Sequence, residues 1–124
     1  VTIFFTFWGL NIIKKQNKPA VEKDLMGKMF GWMLPSSSEK LKLSKMNMGG
    51  MGSKMMRMIM KQKRIDSLES LIQQAIDNGV EMIACTMSMD VMGVKQEELL
   101  DHVKLGGVAT YLERAEEANL NLFI

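Results

Sequence analysis

Only one cysteine, one histidine, one tyrosine and two prolines occur in 124 residues, and each scarcity narrows what the chain can be. Cys85 has no second thiol to pair with, so the stapled secreted scaffolds are excluded and a reducing, cytoplasmic setting is expected, where a thiol stays free. His102 is the sole imidazole, and one His with one Cys falls short of the four ligands of a structural zinc site. Neither a metal nor another cofactor is expected. Long hydrophobic runs are also missing. The opening VTIFFTFWGLNII is broken by Gly9 and Asn11 and is shorter than the roughly 17–20 apolar residues of a spanning helix. It lacks the basic front and small-residue cleavage site of a signal peptide. No basic groove studded with aromatics is present, which argues against a nucleic-acid partner.

What the chain does have is a strong charge asymmetry. Residues 1–64 hold thirteen Lys/Arg against three Asp/Glu, and residues 65–124 hold three against eleven. The halves therefore carry +10 and −8 within a net charge of +2. A basic half beside an acidic one can steer anionic ligands, meet an anionic membrane surface peripherally or draw subunits together, or it can decorate solvated faces. Fourteen methionines stand out as well, ten of them between Met26 and Met60. Thioethers are soft Cu(I) ligands, but they also make adaptable packing surfaces, and packing against subunits or a partner is the favoured reading. GGMGSK lacks the spacing of a phosphate-binding loop and has no apolar strand before it.

At this length a hydrophobic content of 47% suits one domain, residues 1–124. Val1–Trp8 is β-branched and aromatic, the pattern of a strand covered on both faces. Leu10–Lys15 suits a short helix, Asn17–Pro19 a loop, and Val21–Leu34 a helix stopped by Pro35 and Ser36–Ser38. The stretch 39–52 reads as an irregular connection, followed by a helix capped by Ser53 and running to about Lys63. Asp66 and Glu69 suggest a capping-box start for a helix whose stripe is Leu68, Leu71, Ile72, Ala75 and Ile76. Val80–Thr86 then reads as a strand, Ser88 as the cap of a brief helix ending near Gly93, and Gln96–Val103 as a helix. Val108–Ala118 follows as a helix with Val108, Leu112 and Ala115 inward, and Leu120–Ile124 as a closing strand. This order predicts a three-layer α/β fold, a parallel sheet with helices on both faces.

Ligands of such sheets bind at the C-terminal ends of strands, and Cys85 falls at one. A helix start follows it, where backbone N–H groups and the helix dipole favour an anion and lower a thiol pKa. Thr86 and Ser88 are candidate hydrogen-bond donors to a thiolate or bound sulfur anion, and both are equally ordinary turn and cap residues. Asp90 opposes the effect if it points at the sulfur. A free cysteine is also commonly a small buried hydrophobe, and a Cys85–His102 dyad requires the fold to bring the two together.

The segments VTIFFTFWGLN, KMFGWMLP, LSKMNMGGMG, IACTMSMDVMG and GGVATYLERAEEANLNLFI, in that order, together resemble the DsrE/DsrF-like sulfur-relay family. Within it they are similar to a Met-rich branch sometimes labelled peroxiredoxin-like. The resemblance covers essentially the whole chain. It implies a flavodoxin-like fold, a homo-oligomer, and a cysteine that accepts sulfane sulfur as a persulfide, a role that transfers to Cys85 alone. It also implies a strand and helix upstream of FFTFWG, so a longer natural chain is expected. Position 102 is more often glycine in that branch, which weakens a catalytic part for His102.

The function expected is that of a sulfur carrier or sulfurtransferase: Cys85 takes sulfur from a donor protein or small sulfur anion such as thiosulfate, and an acceptor protein's thiol collects it. Because the thiol is solitary, the relay must be completed from outside the chain. The rival is a non-catalytic interaction module whose Met-rich surface binds subunits, a partner protein, a membrane surface or Cu(I). A peroxidase is disfavoured, since the P-x-x-x-[TS]-x-x-C pattern is absent around Cys85.

Overall fold

The computed structural model describes residues 1–16, 28, 35, 37–41 and 49–124. The loop expected at Asn17–Pro19, almost all of the helix expected over Val21–Leu34, and residues 42–48 of the connecting stretch lie outside the described residues.

Among the described residues three strands form a parallel sheet in the order β1-β2-β3. They are β1 (Thr2–Phe5), β2 (Glu81–Cys85) and β3 (Val103–Gly106). The register sets Phe5 beside Ala84, Met82 beside Val103, and Cys85 beside Gly106. The α-helices bounded within the described residues are α1 (Met51–Gln62), α2 (Leu68–Asp77), α3 (Thr86–Met92) and α4 (Val108–Glu117). Short 3-10 segments cover Phe7–Ile13, Ser38–Lys40 and Gln96–Glu98.

Alternation along the strands divides the apolar residues between two faces. Phe5, Met82, Ala84 and Val103 join Leu10, Ile13, Met89, Met92, Val94 and Leu99 in the core, with Ile72, Ala75 and Ile76 of α2 packed against it. Each fully buried Leu or Ile in this cluster contributes roughly 1.5–3 kcal/mol. The opposite face carries Phe4, Glu81, Ile83 and Cys85 and is met by α4. Tyr111 stacks obliquely on Phe4 with ring centroids 5.5 Å apart, and the Arg114 guanidinium donates to Glu81 at 2.8 Å.

Several expected elements move. The third strand is Val103–Gly106 and not Leu120–Ile124, whose residues Leu120, Leu122, Phe123 and Ile124 are largely exposed. Lys104 in the middle, with Asp101 and His102 before and Gly107 after, masks a four-residue strand that places only the Val103 side chain in the core. The helix expected over Gln96–Val103 shrinks to a 3-10 turn, because Leu99 is drawn into an antiparallel bridge with Lys14. β1 ends at Phe5, and the chain turns at Phe7, whose φ of 39° is left-handed. Ser67, not Asp66, caps α2 by accepting from the Ser70 N–H at 3.2 Å. Gly50 precedes α1 with φ 102° in place of a Ser53 cap.

The α4 periodicity is present but turned over. Val108 and Leu112, expected inward, are 56% and 58% exposed, while Tyr111 and Arg114 face the sheet. The Glu81 carboxylate explains the orientation. It holds Lys104 and Arg114, each at 2.8 Å, and accepts from the Thr2 hydroxyl at 3.3 Å.

Candidate functional site

Cys85 ends the central strand and stands immediately before α3, in the N-cap position with φ −70° and ψ 114°. An apolar strand delivers it there: Met82, Ile83 and Ala84 are all buried, and pairing on both sides holds β2 in the middle of the sheet. The expected Ser88 cap is therefore displaced by three residues, since the helix begins at once with Thr86.

The thiol residue is buried, 5% exposed. Its strand neighbour is Gly106, and α4 begins two residues further on. A side chain at Gly106 would put its Cβ 2.7 Å from Ile83 Cγ2 and 3.1 Å from Thr110 Cβ, so the glycine permits the close approach of β3 and α4 to the strand that carries Cys85. The next residue, Gly107, is looser, with Thr86 Oγ1 4.0 Å from where its Cβ would stand.

Thr86 and Ser88 separate. Two residues apart on a helix means about 200° of rotation, and Thr86 is exposed while Ser88 is buried at 1%. The Thr86 hydroxyl donates to the Gly106 carbonyl at 3.4 Å, spanning the two strand ends beside Cys85. Ser88 turns into the body of the protein. Asp90 is exposed. His102 precedes β3 at the other end of the sheet, about 13 Å of strand from Gly106, so no dyad with Cys85 forms. Among the described residues no group of three or more His, Cys, Asp or Glu is placed to hold a metal ion.

Around the C-terminal strand ends the surface is apolar. Phe7 and Trp8 follow β1, Met87 follows Cys85, and Val108 follows β3, each more than half exposed. The Phe7–Trp8 turn is anchored from beneath. Asn11, fully buried, donates through Nδ2 to the Trp8 carbonyl at 2.9 Å and accepts at Oδ1 from the buried Lys14 ammonium at 2.8 Å. Sequence reasoning missed this anchor and the Gly106–Gly107 approach. In sequence Asn11 reads as an interruption of an apolar run, and Gly106 and Gly107 fall between two expected helices with no role of their own. The usable signal was the pair of glycines directly after VKL.

A thiol at the C-terminal end of a central parallel strand, directly before a helix, stands where sheets of this kind bind their ligands. The model of the DsrE/DsrF/DrsH-like family matches residues 1–123, and the chain belongs to that family. It is 48% identical over 124 residues to YrkE of Bacillus subtilis strain 168, a match covering all of this chain and 78% of that protein. It is 36% identical over 128 residues to "Sulfur carrier protein DsrE2" of Allochromatium vinosum, covering all of this chain and 79% of that protein. No helix among the described residues is long and apolar enough to cross a membrane.

Proposed function

We propose that the protein is a sulfur carrier that holds sulfane sulfur as a persulfide on Cys85 and hands it to a thiol of a partner protein. The observation that carries this reading is the position of the sole cysteine, at the end of the central strand and in the N-cap of α3. The relative named as a sulfur carrier supports it.

In loading, the Cys85 thiolate attacks the outer sulfur of a donor persulfide, R–S–SH. A bond forms between Cys85 Sγ and that sulfur, the donor S–S bond breaks, and RS⁻ leaves. Thiosulfate serves in the same way with sulfite leaving. In unloading, an acceptor thiolate attacks the outer sulfur of the Cys85 persulfide, and Cys85 leaves as thiolate. No external oxidant or reductant enters either step. Thr86, at the rim, is the side chain suited to contact an arriving anion, its hydroxyl turning to the anion from the long 3.4 Å bond it otherwise donates to the Gly106 carbonyl. Ser88, expected as a second donor, is assigned instead to holding α3 against the core.

With this reading go a single flavodoxin-like domain of three layers, a reducing cytoplasmic setting, and donor and acceptor partners outside the chain. The exposed methionines Met51, Met55 and Met58 favour an added docking role for α1, which is compatible with carriage. Cyanolysis tests the assignment. After incubation with a persulfide donor and desalting, the protein is expected to release thiocyanate on cyanide treatment. Cys85→Ser protein that releases the same amount would refute it.

A further inference from the structure

Phe7 is a bulky aromatic residue held at φ 39°, in the left-handed region that glycine and asparagine enter readily and a large side chain enters only at a cost. The fold gains no core packing in return. Phe7 is 55% exposed and Trp8 after it 56%, and neither belongs to the core cluster. Beneath them the turn is fixed by a second costly arrangement, the buried Asn11 and Lys14 that hold the Trp8 carbonyl. A lysine is tolerated out of water only where its ammonium is hydrogen-bonded. Two separate costs thus present one pair of rings to solvent.

The rings stand at the Cys85 end of the sheet. Phe5 is level with Ala84 in the β1–β2 register, so Thr6 and Phe7 leave β1 beside the point where β2 reaches Cys85. Met87 and Val108, also exposed, follow β2 and β3 at the same end. The chain is 24% charged, yet residues 5–13, 82–89 and 105–112, which run through the three strand ends, contain no Asp, Glu, Lys or Arg. A charged group brought against these runs loses water without meeting an opposite charge in them. An apolar group gains from the same contact.

We infer that Phe7 and Trp8 select the sulfur donor: the persulfide delivered to Cys85 belongs to a polypeptide segment whose residues on either side of the persulfidated cysteine are apolar and uncharged. This rests on the carrier reading and names its donor class. A polypeptide suits the site because exposed apolar side chains follow all three strands, roughly 10 Å from β1 to β3, a width that several side chains fill. An aromatic ring already held in place is an efficient anchor, since little side-chain freedom is lost when a partner covers it. The bond changes are those of loading: Cys85 Sγ bonds the outer sulfur, the donor S–S bond breaks, and the donor cysteine leaves as thiolate.

Two short synthetic peptide persulfides test the inference, one with leucine and one with glutamate on each side of the persulfidated cysteine. Transfer to Cys85 is followed by intact-protein mass spectrometry, and each rate is divided by that of the same peptide with free cysteine, which removes intrinsic reactivity. Wild type is expected to load roughly tenfold faster from the leucine peptide. Phe7→Asn relieves the left-handed backbone and is expected to keep or raise the denaturation midpoint, to lose most of the preference, and to load from thiosulfate at the wild-type rate. Phe7→Tyr retains the preference. Equal normalised rates from the two peptides in wild type overturn the inference and leave the carrier reading standing. A Phe7→Asn protein that keeps the preference, or that slows equally with every donor, overturns it too, because the ring then does not act on the donor. A wild type that loads from neither peptide nor thiosulfate removes both readings.

Discussion

Cys85 and Gly106 are register partners across the parallel pair of β2 and β3, so the one thiol of the chain stands against the one position where Ile83 and Thr110 leave no room for a side chain. Substituting Gly106→Ala forces Ile83 or α4 to move. Overpacking of this kind typically destabilises by about 1–3 kcal/mol. A denaturant titration is expected to show that loss, and Cys85 alkylation is expected to speed up as the cover over the thiol loosens.

Thr86 and Ser88 should part company in experiment as they do in space. Thr86→Val removes a long 3.4 Å hydrogen bond at a cost below about 1 kcal/mol, and slows sulfur loading of Cys85. Ser88→Val at a buried position lowers stability in a denaturant titration while the loading rate of the remaining folded protein stays near wild type.

Two carboxylates make the fold acid-sensitive. Burial pushes Glu69 up, but hydrogen bonds from the Arg57 guanidinium, its own backbone N–H and the Ser38 hydroxyl outweigh it and hold the group at about 2. Hydrogen bonds from Lys104 and Arg114 hold Glu81 at about 2 as well. Both lie below the ordinary 4.5, so their stabilisation is complete above that pH and is lost as pH falls toward about 2. Denaturation midpoints are expected to drop across this window, and the drop should be shallower in Glu69→Gln and Glu81→Gln proteins.

Asn11 is buried with a hydrogen bond at each end, one to a lysine ammonium. Asn11→Leu keeps the branched shape with a bulkier side chain and removes both, at about 2–4 kcal/mol. Tryptophan fluorescence of Trp8 should report the released turn even below the unfolding transition.

The sheet was legible in the sequence where strands are long in apolar residues. EMIAC announces itself by continuous burial and TIFF by β-branched and aromatic content, whereas VKLG alternates with charge and was hidden behind a helical-looking run. The Cys85 position at a strand end was legible for the same reason. Helix α4 shows the limit of periodicity: Val108, Leu112 and Ala115 do share a face, but the Glu81–Arg114 pair decides which face meets the sheet, and that pair spans 33 residues. The Thr86–Gly106 bond and the Asn11–Lys14 anchor depend in the same way on tertiary placement that no local pattern records.

Whether Cys85 carries sulfur is decided most directly by intact-protein mass spectrometry after incubation with a persulfide donor or thiosulfate, beside a Cys85→Ser control. Wild type is expected to gain the mass of one sulfur atom, to lose it on adding an acceptor thiol, and the control is expected to gain nothing. A wild type that never acquires sulfur from either donor, or a control that acquires it equally, contradicts the account.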